Sequence, residues 1–219
     1  MACLGKGHGQ DASLAQVPRV QPIQHLGAEM TDPLDLFGQP VTERRADFDG
    51  KNRLRLIRKW GPGPIACVIG HNPSAADGTK DDPTSRWWNR WFQLYGFGGY
   101  VAVNLYPWCS AQPADVYRIV DEINGGVNWG ARDELHFTNL DVLRIEAKQA
   151  HQVFVCWGAI ARDQDWIEHV VEEIHFGEGP YPDLWCWGQT AAGAPKHPLA
   201  RGAHRIPADQ KPILWRAAR

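Results

Sequence analysis

The sequence predicts an α/β fold, a three-layer αβα arrangement in which helices cover both faces of a mostly parallel, four-stranded sheet. Short apolar runs of strand length alternate along the chain with longer segments of helical periodicity. Four of these runs are almost free of charge, as strands buried on both faces are. The 219 residues, 43% of them hydrophobic and 22% charged, suffice for one sizeable domain with a buried core.

The N-terminal 45 residues differ in composition from the rest of the chain. They mix Gly, Pro, Gln and Asp without a sustained period, which predicts an extended, poorly ordered segment. A single α/β domain is predicted over residues 46–219. It opens with a run from Asn52 in which polar and apolar residues alternate, as in a half-buried strand, and Gly-Pro-Gly-Pro at 61–64 ends that run.

The four predicted core strands follow in order, separated by predicted helices. The strands cover residues 65–70, 100–105, 152–158 and 183–188. The helices cover about 85–95, 113–123, 131–150 and 159–174. In sheets of this kind, ligands bind outside the carboxyl ends of the parallel strands. Residues that follow the strands are therefore expected to share one site.

Charge and cysteine content exclude several classes of protein. A formal net charge of -2 excludes a polybasic protein that binds nucleic acid by bulk charge, so any DNA contact must be local. The five cysteines are widely spaced and form no C-x-x-C pair, and we expect neither a metal site nor a cofactor. No apolar run is long enough to span a membrane and no secretory signal is evident, so the expectation is a monomeric cytoplasmic protein.

Polar or small residues follow each predicted core strand. They are Gly70, His71, Asn72, Asn104, Trp157, Gly158 and His197. Asn104 carries both amide donors and an acceptor, the groups needed to recognise a pyrimidine edge, although an Asn at this position can equally cap a helix or turn. His197, between Lys196 and Pro198, can as a neutral imidazole donate a hydrogen bond to a developing oxyanion. Asn72 precedes Pro73 and is held extended, which also suits a plain turn.

Four motifs occur in a fixed order: GHNPS at 70–74, VAVN at 101–104, VCWGAIA at 155–161 and KHPLAR at 196–201. Together they resemble the uracil-DNA-glycosylase superfamily over roughly residues 65–202. The segment PTSRWWNRWFQLYGF also resembles a helix of the mismatch-specific uracil/thymine branch. The whole pattern is closer still to an uncharacterised bacterial and phage family known only as a domain of unknown function.

The resemblance implies a hydrolase that binds a flipped nucleobase of DNA and cleaves its N-glycosidic bond without a metal. Asn72 would position water and His197 would stabilise charge on the departing base. The implied base contacts are Gly70, His71, Ser74, Asn104, Trp87 and Trp88. The implied phosphate contacts are Arg86, Arg90, Lys196 and Arg201.

Departures from the superfamily pattern leave alternatives open. Leu199, Ala200 and Arg201 stand where the superfamily has a Ser-rich wedge loop, and the Tyr that excludes thymine is missing. Three carboxylates near the first motif, Asp77, Asp81 and Asp82, suit an additional acid or base, or equally a turn and a helix cap. The alternatives to a glycosylase are a non-catalytic nucleotide- or modified-base-binding module and a phage or bacterial nucleobase-modification enzyme.

Overall fold

The computed structural model describes residues 39–125 and 131–218. The predicted N-terminal segment lies outside the described residues as far as residue 38. The strands are β1 (Glu43–Asp49), β2 (Asn52–Lys59), β3 (Ile65–Gly70), β4 (Gly99–Asn104), β5 (Gln152–Val155), β6 (Leu184–Cys186) and β7 (Ile213–Arg216). The helices are α1 (Pro83–Leu94), α2 (Pro113–Asn124), α3 (Ala131–Gln149) and α4 (Gln164–Ile174), with a short 3-10 helix at Gly202–His204.

The sheet has seven strands in the order β1-β2-β4-β3-β5-β6-β7, so the predicted four-stranded sheet is wrong. The four predicted strands form its parallel centre, β4-β3-β5-β6. Three antiparallel strands extend this centre, β2 and β1 on one side and β7 on the other. Edge strands carry charged residues and lack a long apolar run, as in Glu-Arg-Arg-Ala-Asp-Phe-Asp of β1, which is why β1 and β7 were not predicted.

The helices lie on both faces of the sheet. In the order of strands across the sheet, β4 lies on one side of β3, whereas β5 and β6 lie on the other side. The crossover from β3 to β4 therefore runs opposite to the crossovers from β4 to β5 and from β5 to β6. Because such crossovers are right-handed, α1 covers one face, and the helices of the later crossovers cover the other. Two separate hydrophobic cores agree with this. One contains Trp88, Trp91 and Phe92 of α1, and the other contains Leu143 of α3 and Val170 of α4.

The helices predicted from periodicity all occur, and the first residues of α1 and α4 follow from capping by an aspartate. Asp82 caps α1 by accepting a hydrogen bond from the Ser85 N–H at 2.7 Å, and Pro83 occupies the first turn. Helix α4 begins at Gln164, five residues later than predicted, because Asp163 caps it through the Trp166 N–H at 3.0 Å. Among the described residues, no helix is long and apolar enough to cross a membrane.

Candidate functional site

The carboxyl ends of β3, β4 and β5 meet at one edge of the sheet, beside the first turns of α1. We call the residues grouped there the strand-end site: Gly70, Trp88, Asn104, Gly158 and His197. Gly70 and Asn104 are paired across β3 and β4. A Cβ atom on Gly70 would lie 2.9 Å from Asn104 Oδ1 and 4.0 Å from Trp88 Cη2. The glycine therefore makes room for the amide and the indole to approach each other.

Asn104 is buried, with 2% of its surface exposed, and its amide is incompletely used. Its backbone carbonyl accepts a hydrogen bond from Asn139 Nδ2 at 3.0 Å, which anchors the end of β4. Its side-chain Nδ2 is buried and has no hydrogen-bond partner among the described residues. A buried unpaired amide costs about 1–3 kcal/mol of stability, so this Nδ2 is a candidate for contact with a ligand.

The two tryptophans predicted to stack on a base have different environments. Trp88 is buried, lies near Gly70 and packs edge-on against Tyr100, with ring centroids 5.7 Å apart. Trp87 is half-buried, stacks parallel to Trp91 at 6.4 Å and meets Trp187 edge-on at 5.0 Å. Only Trp88 therefore has contacts that place it at the strand-end site, and Trp87 belongs to the aromatic core around Trp91.

His197 reaches the site because the loop after β6 folds back on the end of β5. The Gly158 N–H donates to Pro195 O at 2.9 Å, and a Cβ atom on Gly158 would lie 3.2 Å from His197 Cβ. Gly158 has φ +77°, a conformation that side chains other than glycine rarely adopt. Two independent constraints thus favour glycine at this position.

The ring of His197 is held as one neutral tautomer. Its Nδ1 accepts the Leu199 N–H at 3.1 Å, so the hydrogen of the neutral ring lies on Nε2. Burial lowers the pKa of His197 to about 4, while the nearby Asp82 raises it and His71 lowers it further. At neutral pH the residue is therefore an uncharged donor through Nε2.

The lowered pKa of His197 predicts that the protein loses stability in acid. An unfolded histidine titrates near 6.5, so between pH 6.5 and about 4 the unfolded chain binds more protons than the folded one. The free energy of unfolding, measured by urea denaturation, should therefore fall by roughly 1–3 kcal/mol from pH 7 to pH 4 because of this residue. A His197→Leu variant should lack that part of the slope.

His204 provides the control for this titration, because it is exposed on the 3-10 helix. A His204→Leu variant should keep the acid slope of the unmodified protein. If His197→Leu also kept the full slope, the ring of His197 would be solvated in the folded protein and could not serve as a neutral donor.

His71 and Asn72 connect three loops at this edge of the sheet. His71 is buried, and its Nδ1 contacts Asn72 Oδ1 at 2.8 Å while its Nε2 contacts the Tyr117 hydroxyl at 3.0 Å. That hydroxyl donates to Ile160 O at 2.6 Å and accepts the Arg162 N–H at 2.9 Å. Burial lowers the pKa of His71, opposed by the bond to Asn72. His71 and Asn72 are thus connected, through Tyr117 of α2, to the loop that follows β5.

Asn72, predicted to position water, has little free hydrogen-bonding capacity. Its Nδ2 donates to Pro73 O at 3.0 Å, Trp108 O at 3.3 Å and Ser110 O at 2.8 Å, and its Oδ1 faces His71. These bonds tie the loop after β3 to the loop after β4. The geometry gives Asn72 a bracing role in this arrangement, whereas Ser74 of the same motif is exposed.

The three carboxylates near the first motif all make bonds within the protein. Asp77 Oδ1 accepts hydrogen bonds from the Thr79 and Lys80 N–H groups, which lower its pKa to about 2. Asp81 is paired with Arg44 at 2.5 Å and with Arg58 at 2.8 Å. Burial raises the pKa of Asp81, but these bonds to arginine lower it overall. Asp82 caps α1. The three carboxylates therefore have structural roles: Asp77 in a turn, Asp81 in an ion-pair network and Asp82 as a helix cap.

None of the four predicted phosphate contacts is fully buried. Arg86 and Arg90 are exposed and four residues apart on α1, so they share one side of the helix. Arg201 is exposed, whereas Lys196 is partly buried, with its Cδ 3.4 Å from the Cβ position of Gly188. The segment after Arg201 packs on α1, where the Trp91 indole donates to Gln210 O at 2.9 Å.

Arg53 and Tyr117 were not predicted from the sequence as residues of the candidate site. Arg53 was assigned to a half-buried strand in which alternate residues face solvent. The register between β1 and β2 shifts next to Arg53, and this residue becomes buried together with Leu56 and Arg58. Three arginines in an eight-residue strand were the available signal, but only the shift in register decides which of them face inward.

Two open grooves lie beside α2, of about 740 and 690 Å³. The first is lined by Tyr117, Arg118, Ile160 and Arg162, and the second by Asn52, Trp108, Cys109 and Asp115. Neither is lined by Asn104 or His197. Within the described ranges, no group of three or more His, Cys, Asp and Glu side chains is placed to hold a metal ion.

Comparison with known families identifies one match. A family whose description is "Protein of unknown function (DUF1643)" matches residues 53–199, which include all the strand-end residues. No curated protein and no solved structure gives a significant match.

Proposed function

We propose, from the premise that this chain belongs to the DUF1643 family, that the strand-end site binds a nucleobase and that the protein is a DNA-glycosylase-like hydrolase of its N-glycosidic bond. The buried, unpaired amide of Asn104 is the observation that carries this proposal. An amide presents a donor and an acceptor side by side, and so does the edge of a pyrimidine or purine. The match between these groups supports a base as the ligand.

The neighbours of Asn104 suit the flat faces of a base. Gly70 has no side chain at the point closest to the amide, and Trp88 supplies an aromatic ring there. Stacking on an aromatic side chain contributes roughly 1–3 kcal/mol per base, which offsets the cost of extruding the nucleotide from a duplex. Because Asn104 and Trp88 are both buried, entry of a base requires the residues that cover them to move.

His197 is the group best suited to assist bond cleavage. Breaking an N-glycosidic bond leaves negative charge on the departing base, and the neutral Nε2–H of His197 can donate to it. The low pKa favours this role, since a neutral imidazole stabilises the charge without transferring its proton. Asn72 would act as a brace that positions the loop, in place of the water-positioning role implied by the superfamily resemblance.

The proposal is tested with oligonucleotides that carry uracil, mismatched bases or modified bases, in single and double strands. Incubation with the protein should yield abasic sites, which hot alkali converts to strand breaks, and His197→Leu should reduce the rate by roughly 100-fold. The exposed variant His204→Leu serves as control and should keep the full rate. If the protein binds none of these substrates and leaves all of them intact, the proposal is wrong.

A second candidate function is a binding module that does not hydrolyse its ligand. The bonds of Asn72 favour it, because they leave this amide no free group with which to position water. Asp77, Asp81 and Asp82 are likewise engaged within the protein, so none stands free as a general base. This candidate predicts saturable quenching of tryptophan fluorescence by the base-bearing ligand without abasic product, and it fails if product accumulates over many turnovers.

A further inference from the structure

We propose that Arg53 forms a phosphate-binding subsite of the strand-end site, so that the ligand is a nucleotide rather than a free base or nucleoside. This inference rests on the proposed function for the identity of the ligand, but its evidence is separate. It starts from an arginine that is 3% exposed and makes few bonds.

The side chain of Arg53 is under-bonded for a buried cation. Its Nη1 donates to Ala76 O, its Nε is buried without a partner, and it forms no ion pair with any described residue. Burial lowers the pKa of the guanidinium, and the charges of Cys109 and Asp82, which raise it, offset that effect only in part. Buried charges in proteins are normally paired, so an unpaired one indicates a missing anion.

Arg58, five residues further along the same strand, shows which bonds a buried arginine with a structural role forms in this fold. It is fully buried, pairs with Asp81 at 2.8 Å, and donates to Ile57 O at 2.8 Å and to Asp77 O at 2.6 Å. The strand therefore contains two arginines, Arg55 and Arg58, that form ion pairs with carboxylates, and one, Arg53, that forms none with any described residue.

Position connects Arg53 to the strand-end site. Its backbone N–H donates to Pro107 O at 3.1 Å, just three residues beyond Asn104. Its side chain lies beneath the loop between β3 and α1, through Ala76, and Asp82 and Cys109 are near enough to act on its charge. Asp82 acts on His197 as well, so Arg53 and His197 both lie within electrostatic range of the residue that caps α1.

Phosphate is the anion that best suits these donors. A guanidinium presents parallel N–H groups that match two oxygens of a phosphate. Asp82, the nearest carboxylate, is already committed to the Ser85 N–H. A phosphate attached to the sugar of a base at Asn104 would therefore fill the missing bonds of Arg53.

Calorimetric titration of the full-length protein tests the subsite. The ligands are inorganic phosphate, the common nucleosides and their 5′-monophosphates. Inorganic phosphate should bind and raise the melting temperature, and a monophosphate should bind at least 10-fold more tightly than its parent nucleoside. Arg53→Met should remove that advantage without lowering the melting temperature, because it removes an unpaired buried charge. Arg55→Met, in the same strand but bound to Glu146, should keep the advantage.

The outcomes separate this inference from the proposed function. Asn104→Ala should weaken binding of nucleosides but leave inorganic phosphate bound, which would support Arg53 independently of the base. If nucleosides bind and the phosphate gives no advantage, the subsite is wrong and base recognition stands. If inorganic phosphate fails to bind the unmodified protein, the subsite is wrong as well. If Arg53→Met does not fold, Arg53→Lys provides the test, because lysine keeps the positive charge but lacks the parallel N–H groups of a guanidinium. If the monophosphate then still bound as much more tightly than the nucleoside as it does to the unmodified protein, the inference would be overturned.

Discussion

Asn104→Ala is expected to weaken nucleobase binding strongly while leaving the protein as stable as before, or slightly more stable. The side-chain Nδ2 has no partner in the part of the chain that the structure describes, so its removal breaks no hydrogen bond there. A base held by this amide would lose two bonds in a buried site, which corresponds to roughly 100-fold weaker binding, about 2.7 kcal/mol. Titration of ligand-induced tryptophan quenching measures the affinity, and urea denaturation measures the stability.

Asn89 offers a matched control for Asn104. Its amide donates to Asp81 Oδ2 at 3.1 Å and accepts the Tyr100 hydroxyl at 3.0 Å, so both of its groups are used inside the protein. Asn89→Ala should therefore cost roughly 1–3 kcal/mol of stability and change the affinity little. The assignment of Asn104 to the ligand would be refuted by the opposite pattern, in which Asn104→Ala destabilises the fold and ligand affinity stays the same.

Arg58→Met is expected to destabilise the protein more than any other single substitution in β2. The fully buried guanidinium holds Asp81 and the carbonyls of Asp77 and Lys80, and so fixes the loop that leads into α1. Removal of Arg58 leaves Asp81 with Arg44, which is partly exposed, as its remaining arginine partner, and breaking a buried ion pair costs roughly 3–5 kcal/mol. The free energy of unfolding of a globular protein is only about 5–15 kcal/mol in total. The shift in the urea midpoint should therefore be large.

Lys59 is the control for this prediction, since it is the next residue of the strand and forms an exposed ion pair with Glu43 at 2.9 Å. Lys59→Met should change the free energy of unfolding by less than about 1 kcal/mol. Combining Arg58→Met with Asp81→Leu should restore part of the lost stability, because the only charge left without its partner is that of Arg44, whose side chain is 34% exposed. A loss below about 1 kcal/mol for Arg58→Met alone would show that the network around Asp81 does not hold this loop.

The parallel centre of the fold was predictable because burial on both faces leaves a strong local signal. Ile65–Gly70 and Gly99–Asn104 are almost uncharged, and the helices between the strands have a clear apolar periodicity. The outer strands have no such signal. In β1 and β7, backbone pairing with a neighbour defines the strand, and that pairing depends on residues distant in sequence.

The candidate site was predictable to the extent that it depends on strand ends. Asn104 and His197 follow strands whose carboxyl ends must meet at one edge of a parallel sheet, and the structure places both there. What each side chain does was not predictable in this way. Asn72 and Asn104 are the same residue type after neighbouring strands, yet one amide is saturated and the other is unpaired.

The sequence by itself determined the α/β class, the four parallel strands, their helices and the edge of the sheet at which polar residues gather. Each of these follows from local periodicity and from the chirality of crossovers, which need no knowledge of distant contacts. Only the tertiary structure decided which polar groups are free. The bonds of Asn72 come from the loop after β4, and the isolation of Arg53 depends on a shift in register with β1. Hydrogen-bond satisfaction is a property of the assembled fold, because the partners lie tens of residues away along the chain.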